Sequence, residues 1–144
     1  MTKKEILAAT FDLATLDIKA AAENAHEFEL THIVTGEPLG VFMSVVGDDS
    51  QAVRELSIKS LHKMQRSKAK AEKVGKPFEF TLDEIEAANA DSATARVVAW
   101  RNVVLNGETL EFSEDNARMV FTKYPWIGDQ VVSESKELGN FVKG

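Results

Sequence analysis

Two β-rich runs separated by a Gly/Pro turn constrain the fold of this chain more than any other feature. The first run, residues 28–34, alternates in polarity and then becomes β-branched, and the second spans residues 39–47. Between them, Thr35-Gly36-Glu37-Pro38 supplies turn-forming residues, so the segment predicts a β-hairpin. A lone hairpin is only marginally stable in water, and we expect it to pack on helices or to pair with another chain. An exposed strand edge would be a route to oligomers.

A long helix is predicted directly after the hairpin. Asp48-Asp49-Ser50 offers side-chain oxygens and negative charge to the start of a helix, and Gly75-Lys76-Pro77 ends it. The helix carries an apolar stripe made of Val53, Leu56, Ile58, Leu61 and Met64. The stripe thins beyond Met64, so we expect the second half of the helix to be exposed or to project from the body.

This helix is basic within an otherwise acidic chain. Eight basic residues between Arg54 and Lys76 face two acidic ones, Glu55 and Glu72, which gives the segment a charge of +6. Because the whole chain carries −6, the remainder carries −12. Such a division of charge predicts a dipolar surface.

Three interpretations of the basic segment remain open. The favoured one is a solvated helix face that pairs with acidic surface nearby. The second is a face that docks an acidic partner, with Lys63, Arg66 and Lys70 as candidate binding residues. Nucleic acid is the least favoured partner, because neither aromatic residues nor glycine interrupt the segment before Gly75.

The second half of the sequence predicts several further helices. Thr81-Leu82-Asp83-Glu84 fits a capping box, and the small-residue face after it predicts a helix continuing through Val98 and Ala99 towards Trp100. Asn106-Gly107 predicts a tight turn. Residues 113–116 predict a second N-cap before a short helix, and Pro125 separates that helix from a last one over residues 126–138, which Gly139 ends.

Length and pattern together predict one α+β domain that is mostly α. The N-terminal β-hairpin would pack against three to four helices, with the long basic helix after the hairpin. Within 144 residues, a normal size for a single domain, we distinguish four parts. These are an N-terminal arm (1–25), the hairpin plus basic helix (28–74), a C-terminal helical part (80–138) and a tail (139–144).

No chemical motif points to catalysis. The absence of cysteine excludes thiolate metal sites, disulfides and cysteine nucleophiles, and fits an intracellular protein. His26, His32 and His62 lack a second ligand at helical spacing, and Asp48-Asp49 lacks the rest of an EF-hand and is explained by helix capping. There is no serine elbow, phosphate-binding glycine loop or apolar stretch of membrane-spanning length. We predict a protein without catalytic residues, metal or cofactor that does not enter a membrane.

Large aromatic residues are concentrated in the last third of the chain. They are Trp100, Phe112, Phe121, Tyr124, Trp126 and Phe141. They predict either a C-terminal core or a groove that binds a partner through aromatic anchors. For the groove, the candidate binding residues are Trp100, Tyr124, Trp126 and Phe141.

The order of motifs in the C-terminal half resembles the tail assembly chaperones of long-tailed (siphovirus-like) bacteriophages. The motifs that carry the resemblance are Trp100-Arg101-Asn102-Val103-Val104-Leu105-Asn106-Gly107-Glu108, Phe112-Ser113-Glu114-Asp115-Asn116-Ala117, Tyr124-Pro125-Trp126-Ile127 and Asn140-Phe141. Thr35-Gly36-Glu37-Pro38-Leu39-Gly40 and Gly47-Asp48-Asp49-Ser50 are similar to the front of related phage proteins. The likeness spans about residues 11–141.

The resemblance implies a non-catalytic assembly factor in the host cytoplasm. Such a factor binds the tape measure protein, keeps it soluble and helps tail tube polymerisation. It would form a homo-oligomer and be absent from the mature virion, and a frameshift-extended form could recruit the tail tube protein. One alternative is a structural virion protein, of the tail or head-tail region, that oligomerises through its hairpin edge. Another is an adaptor that captures an acidic host surface with residues 54–76.

Overall fold

The hairpin forms as predicted, but it is part of a three-stranded sheet. The computed structural model describes residues 10–142 and places β1 at His26–Thr31, β2 at Pro38–Val45 and β3 at Val97–Arg101. The strands are antiparallel in the order β1-β2-β3, so β2 is central. A separate two-stranded ribbon joins β4, Val104–Leu105, to β5, Glu108–Thr109, through the predicted turn at Asn106-Gly107.

Five α-helices complete the described part of the chain and confirm the mostly helical α+β class. They are α1 (Ile18–Ala22), α2 (Gln51–Lys73), α3 (Leu82–Arg96), α4 (Glu114–Lys123) and α5 (Pro125–Lys136). Short 3-10 turns lie at Leu13–Leu16 and Leu138–Asn140. The first nine residues of the predicted N-terminal arm and the last two of the tail lie outside the described residues.

Local capping chemistry sets the helix starts. The Ser50 hydroxyl accepts from the Val53 amide, and Thr81 and Glu84 form the predicted capping box. The Ser113 hydroxyl accepts from the Asn116 amide at the start of α4. The last helix begins one residue earlier than predicted, because Pro125 occupies its first turn, where a missing N–H is harmless.

The predicted continuation of α3 through Val98 and Ala99 is wrong. The helix ends at Arg96, and the next five residues form β3, in which Trp100 pairs with Met43 and Ala99 with Ser44. The backbone of residues 97–101 pairs along the edge of β2 that β1 leaves open, with a register shift between Ser44 and Val45. This long-range pairing outweighs the local helix preference of the alanine-rich sequence.

One face of the sheet forms the core together with α3, α4 and α5. The strands contribute Phe28, Leu30, Met43 and Val45, and the helices contribute Ala90, Ala93, Ala117, Val120, Phe121 and Val131. Small residues let the helices approach closely. A side chain at Gly128 of α5 would lie 3.3 Å from the Cβ of Ala93 in α3.

The paired halves of α2 and α3 farthest from the sheet form a two-helix arm. Val53 is the one buried residue of α2, and the buried residues of α3 begin at Ala90. We call residues 58–89 the helical arm. The expected exposure of the second half of α2 is confirmed, and it begins earlier than Met64, because Ile58 and Leu61 are already exposed.

The first three residues of the predicted tail are packed against the body of the protein. Phe141 packs against the core, with its ring 6.0 Å from the ring of His26 and a ring carbon 3.4 Å from where a side chain on Gly47 would begin. The Asn140 amide donates to the Glu134 backbone carbonyl at 2.9 Å and to its carboxylate at 2.8 Å. The chain is therefore held at least to Phe141.

We expect Gly47→Ala to destabilise the protein by about 1–3 kcal/mol, because the added carbon would lie 2.8 Å from the Cβ of Ala22 and 3.0 Å from its Cα. Urea unfolding followed by circular dichroism measures this. Gly139→Ala is the control, since its nearest contact is a flexible carboxylate 3.6 Å away. Equal effects of the two substitutions would contradict close packing of α1 on Gly47.

Trp100→Ala should lower the free energy of unfolding by about 3 kcal/mol. The Trp100 indole donates to the Leu110 carbonyl at 2.9 Å and packs edge-to-face on Phe112 with ring centroids 5.1 Å apart. Trp100→Phe should cost about 1 kcal/mol, mainly for the carbonyl left without its donor. Trp126→Ala, at a tryptophan that packs outside the core cluster, should cost less than Trp100→Ala in the same urea titrations.

Candidate functional site

The helical arm contains an apolar groove of about 380 Å³ between its two helices. Its apolar lining comes from Leu61 and Met64 of α2, Phe80 before α3, and Ile85, Ala87 and Ala88 of α3. Leu61, Phe80 and Ile85 are 48%, 53% and 45% exposed. Contiguous apolar surface of this kind, in the open on a folded chain, is typical of a binding site for another molecule.

Short-range sequence signals shape this groove. Gly75 adopts φ +68° just after α2, a conformation that ends a helix. Pro77 follows, and the Thr81–Glu84 capping box starts α3 in the opposite direction. Between them the rings of Phe78 and Phe80 pack edge-to-face with centroids 4.9 Å apart. Phe80 is thereby held at the mouth of the groove.

A second, shallower depression of about 500 Å³ lies at the tip of the arm. It combines the apolar side chains of Ala71, Val74, Pro77 and Phe78 with the ammonium groups of Lys70, Lys73 and Lys76. It shares Ser67 and Glu84 with the arm groove. The two depressions therefore adjoin at two polar residues, with lysines on the α2 side and with Glu79, Glu84 and Asp91 on the α3 side.

The basic side chains of α2 are exposed to solvent, and the carboxylates of Glu79 and Glu84 line the same tip depression as its lysines. The ion pairs within residues 10–142 involve no side chain of α2. Lys63 borders the arm groove and Lys70 the tip, whereas Arg66 is exposed on α2 and borders neither depression. The favoured interpretation is therefore confirmed for the solvated face, whereas no ion pair with acidic surface nearby is present within residues 10–142.

The four aromatic candidates lie in the body, away from the arm. Trp100, Tyr124 and Phe141 pack against the core, and Trp126 is half-buried in the first turn of α5. None of the four lines the arm groove or the tip depression. The structure thus separates the candidates, with the two lysines at the arm and the aromatics in and around the core.

Sequence reasoning missed the apolar half of the site. The pattern after the capping box predicts only a helix with a small-residue face, and it does not mark Ile85 or Phe80 as binding residues. The available signal was the pair of aromatics, Phe78 and Phe80, placed between a helix end and a capping box, where a chain reversal leaves side chains uncovered.

Asp48 has a different role from the predicted one. Its carboxylate accepts a 2.6 Å hydrogen bond from the buried guanidinium of Arg96 and forms an ion pair with it. The side chain that caps α2 is that of Ser50 and not that of Asp48. The same Arg96 nitrogen donates to the Ser135 hydroxyl at 3.1 Å, which in turn donates to the Val46 carbonyl at 2.7 Å. Asp48 is therefore part of a structural junction that joins the start of α2 to the end of α3 and to α5.

The described residues contain no cluster of three or more His, Asp or Glu side chains able to hold a metal ion. Within residues 10–142 there is also no helix with the length and apolar character needed to cross a bilayer.

The hairpin edge is partly closed. The inner edge, on β2, is occupied by β3. On the outer edge, the Gln130 side chain accepts from the Thr31 amide at 3.0 Å and donates to the Thr31 carbonyl at 2.9 Å. The side-chain amide of α5 thus replaces a neighbouring strand at the end of β1.

The outer face of the sheet carries a charged layer. Arg101 donates to Glu27 at 2.8 Å, and its guanidinium carbon lies 3.8 Å from the centre of the Phe42 ring. The hydrogen bond from Arg101 lowers the pKa of Glu27. The same contact raises the pKa of Arg101.

No protein-family model, curated protein or solved structure matches this chain. The choice of the arm as the candidate site therefore depends on the geometry of the arm alone.

Arg101→Gln should raise the pKa of Glu27 towards its ordinary value, since the charged donor that favours the carboxylate is removed. Carboxyl NMR titration measures the shift. The contribution of Glu27 to stability is present above its unfolded pKa and is lost as the pH falls through the lower folded value. Arg118→Gln, which removes the distant contact with Asp91, serves as the control and should leave Glu27 unchanged.

Proposed function

We propose that this chain is a non-catalytic bacteriophage tail assembly chaperone that binds the tape measure protein on its helical arm. The observation that carries the proposal is the exposed apolar arm groove, which Lys63 borders on the α2 side and Glu84 and Asp91 border on the α3 side. The tape measure protein is proposed as the client because the order of the C-terminal motifs resembles that of tail assembly chaperones. The arm supplies a surface with the chemistry that such a client needs.

The client is long, helical and prone to aggregate through the apolar faces of its helices. A groove that receives apolar side chains of an amphipathic helix covers such a face. Lys63 at the groove and Lys70 at the tip would pair with acidic side chains on the client helix. The acidic body, with the remaining charge of the chain, would keep the complex soluble.

The proposed chaperone acts in the host cytoplasm and leaves before the virion is complete. A frameshift-extended form would add a segment after the C-terminus that recruits tail tube protein. Since Phe141 is packed on the body near α1 and the root of α2, such an extension would emerge at the opposite end of α2 from the arm tip. Client and tube subunits would then approach from different ends of the molecule.

A second candidate function is a structural tail or head-tail protein that oligomerises through β1. It is supported by the position of β1 at an edge of the sheet. Gln130 blocks the Thr31 end of that edge, so only the His26 end would remain for pairing. Mass spectrometry of purified virions separates the two functions: a chaperone is absent, and a structural subunit is present at fixed stoichiometry.

The test of the proposed function is co-expression with the tape measure protein from the same genome. The unaltered chain should keep that protein soluble and elute with it, and Leu61→Asp with Ile85→Asp should reduce the soluble client about tenfold, equivalent to about 1.4 kcal/mol of binding. These charges would lie in the apolar groove. Val104→Asp, at an exposed apolar residue of the ribbon in the body, is the matched control and should retain activity.

Circular dichroism and thermal melting show whether each variant is folded. A folded groove variant that solubilises the client as well as the unaltered chain would place the client elsewhere. A client that remains insoluble with the unaltered chain, with no complex eluting, would contradict the chaperone function itself.

A further inference from the structure

One flank of α2 carries a straight row of positive charge along the arm. Lys63, Arg66, Lys70 and Lys73 follow one another at spacings of three, four and three residues, and all four are exposed. At about 100° per residue these spacings keep the four side chains within an arc of about 80° on the helix. We call them the basic stripe. It spans about 15 Å of the helix axis at 1.5 Å per residue.

The basic stripe and the apolar side chain of Leu61 lie on different flanks of α2. The less exposed residues of the helix mark the side that faces α3, and they are Val53, Leu56, Met64, Ser67 and Ala71. Rotation by about 100° per residue places the stripe on one side of this line and Leu61 on the other. Lys63 is the member nearest to the line, which is why it also borders the arm groove.

The carboxylates nearest to the stripe do not pair with it. They are Glu84 and Asp91 at the groove and Glu79 at the tip, and none of the ion pairs within residues 10–142 joins them to α2. Asp91 instead binds Arg118 at 3.1 Å, and Glu84 accepts from the Thr81 hydroxyl at 3.0 Å. Within the described chain the stripe is therefore a row of cations without a matching row of acids.

We propose that the basic stripe binds an acidic α-helix whose Glu or Asp residues recur three and four residues apart along one side. A helix laid beside α2 has the same rise per residue, so one acid can meet each of the four cations over the whole length of the stripe. Rows of charge of this kind select and align the partners in paired helices. Arg66, in the middle of the row, can bind a carboxylate through two N–H groups at once.

Other polyanions fit the stripe less well. An extended peptide places successive side chains of one face about 6.7 Å apart, whereas the cations recur about every 5 Å along α2, so the two would fall out of register. A nucleic acid would find no aromatic side chain in the stripe on which a base could stack. The residues outside 54–76 carry −12 and would repel a strand that extends beyond the arm.

The stripe adds selectivity to the arm. The groove receives apolar side chains and would accept many amphipathic helices, whereas a row of charge favours helices with acids in one register. In the chaperone role, on which this step alone rests, the stripe would choose which helices of the client are bound. The binding of an acidic helix to the stripe does not itself require that role.

Two synthetic alanine-rich helices of about 20 residues, long enough to be helical in isolation, test the register. Both contain four glutamates. In the stripe peptide these lie three, four and three residues apart, and in the dispersed peptide they lie five apart, which sets each about 140° from the last. Fluorescence anisotropy at low salt should show at least tenfold tighter binding of the stripe peptide, and added salt should weaken it. Equal binding of two peptides of equal helicity by circular dichroism overturns the inference.

Matched charge reversals locate the contact. Arg66→Glu with Lys70→Glu alters the stripe, and Arg54→Glu with Lys68→Glu makes the same change of charge on the opposite flank of α2, all at exposed positions. The stripe variant should bind the stripe peptide at least tenfold more weakly. The control should lose less than about threefold at 0.1 M salt, because its charges lie about one Debye length away, across the helix.

Equal losses from the two variants overturn the inference, because net charge alone would then explain binding. An oligonucleotide of about 20 nucleotides that binds the unaltered chain more tightly than the stripe peptide overturns it as well. If circular dichroism shows either double variant to be unfolded, Lys70→Glu against Lys68→Glu repeats the comparison with single substitutions, and the same two outcomes decide it.

Co-expression with the tape measure protein separates this inference from the proposed function. If the unaltered chain keeps that protein soluble while the two peptides bind alike, the chaperone function stands and the acidic-helix site fails. If the peptides are distinguished as described and the client stays insoluble, the reverse holds.

Discussion

The arrangement of the other elements depends on the contacts of one buried residue, Arg96. Its backbone carbonyl accepts from the Val46 amide, and its side chain binds Asp48 before α2 and Ser135 in α5. One residue thus joins the end of α3, the end of β2, the root of α2 and the last helix. A buried charge is tolerated only when it is paired, so loss of any partner would leave a costly unsatisfied group. The Nε of Arg96 already has no hydrogen-bond partner, which leaves little tolerance for further loss.

This junction also explains why the arm can remain exposed. The two helices that carry the arm are anchored at the same place in the body, α2 through the Ser50 cap beside Asp48 and α3 through Arg96. Helices of this length draw most of their stability from tertiary packing, and here that packing is supplied at the root. The distal halves can therefore carry Leu61, Phe80 and Ile85 at the surface without the two helices separating. An uncovered apolar surface is what client binding would use.

Much of the fold could be predicted from signals between residues close together in the sequence, whereas the candidate site could be predicted from them only in part. The hairpin, the Thr81–Glu84 capping box and the Asn106-Gly107 turn form as predicted because each depends on residues within a few positions of one another. The strand at Val97–Arg101 could not be predicted in this way, since its partner, β2, lies more than fifty residues earlier. The charge pattern predicted Lys63 and Lys70 as candidate binding residues, but it did not predict Ile85, because periodicity does not reveal how far a neighbouring helix covers an apolar face.

The sequence by itself determined the capped starts of the long helices, the positions of the tight turns, the exclusion of cysteine chemistry, and the concentration of positive charge on one helix. These properties depend on composition and on contacts between near neighbours. Only the tertiary structure decided that the C-terminal aromatics belong largely to the core, that Asp48 pairs with Arg96, and that the basic helix remains without ion pairs inside the described chain. The physical reason is that burial and charge pairing are set by residues distant in sequence, and their positions exist only once the sheet has formed and the helices have packed on it.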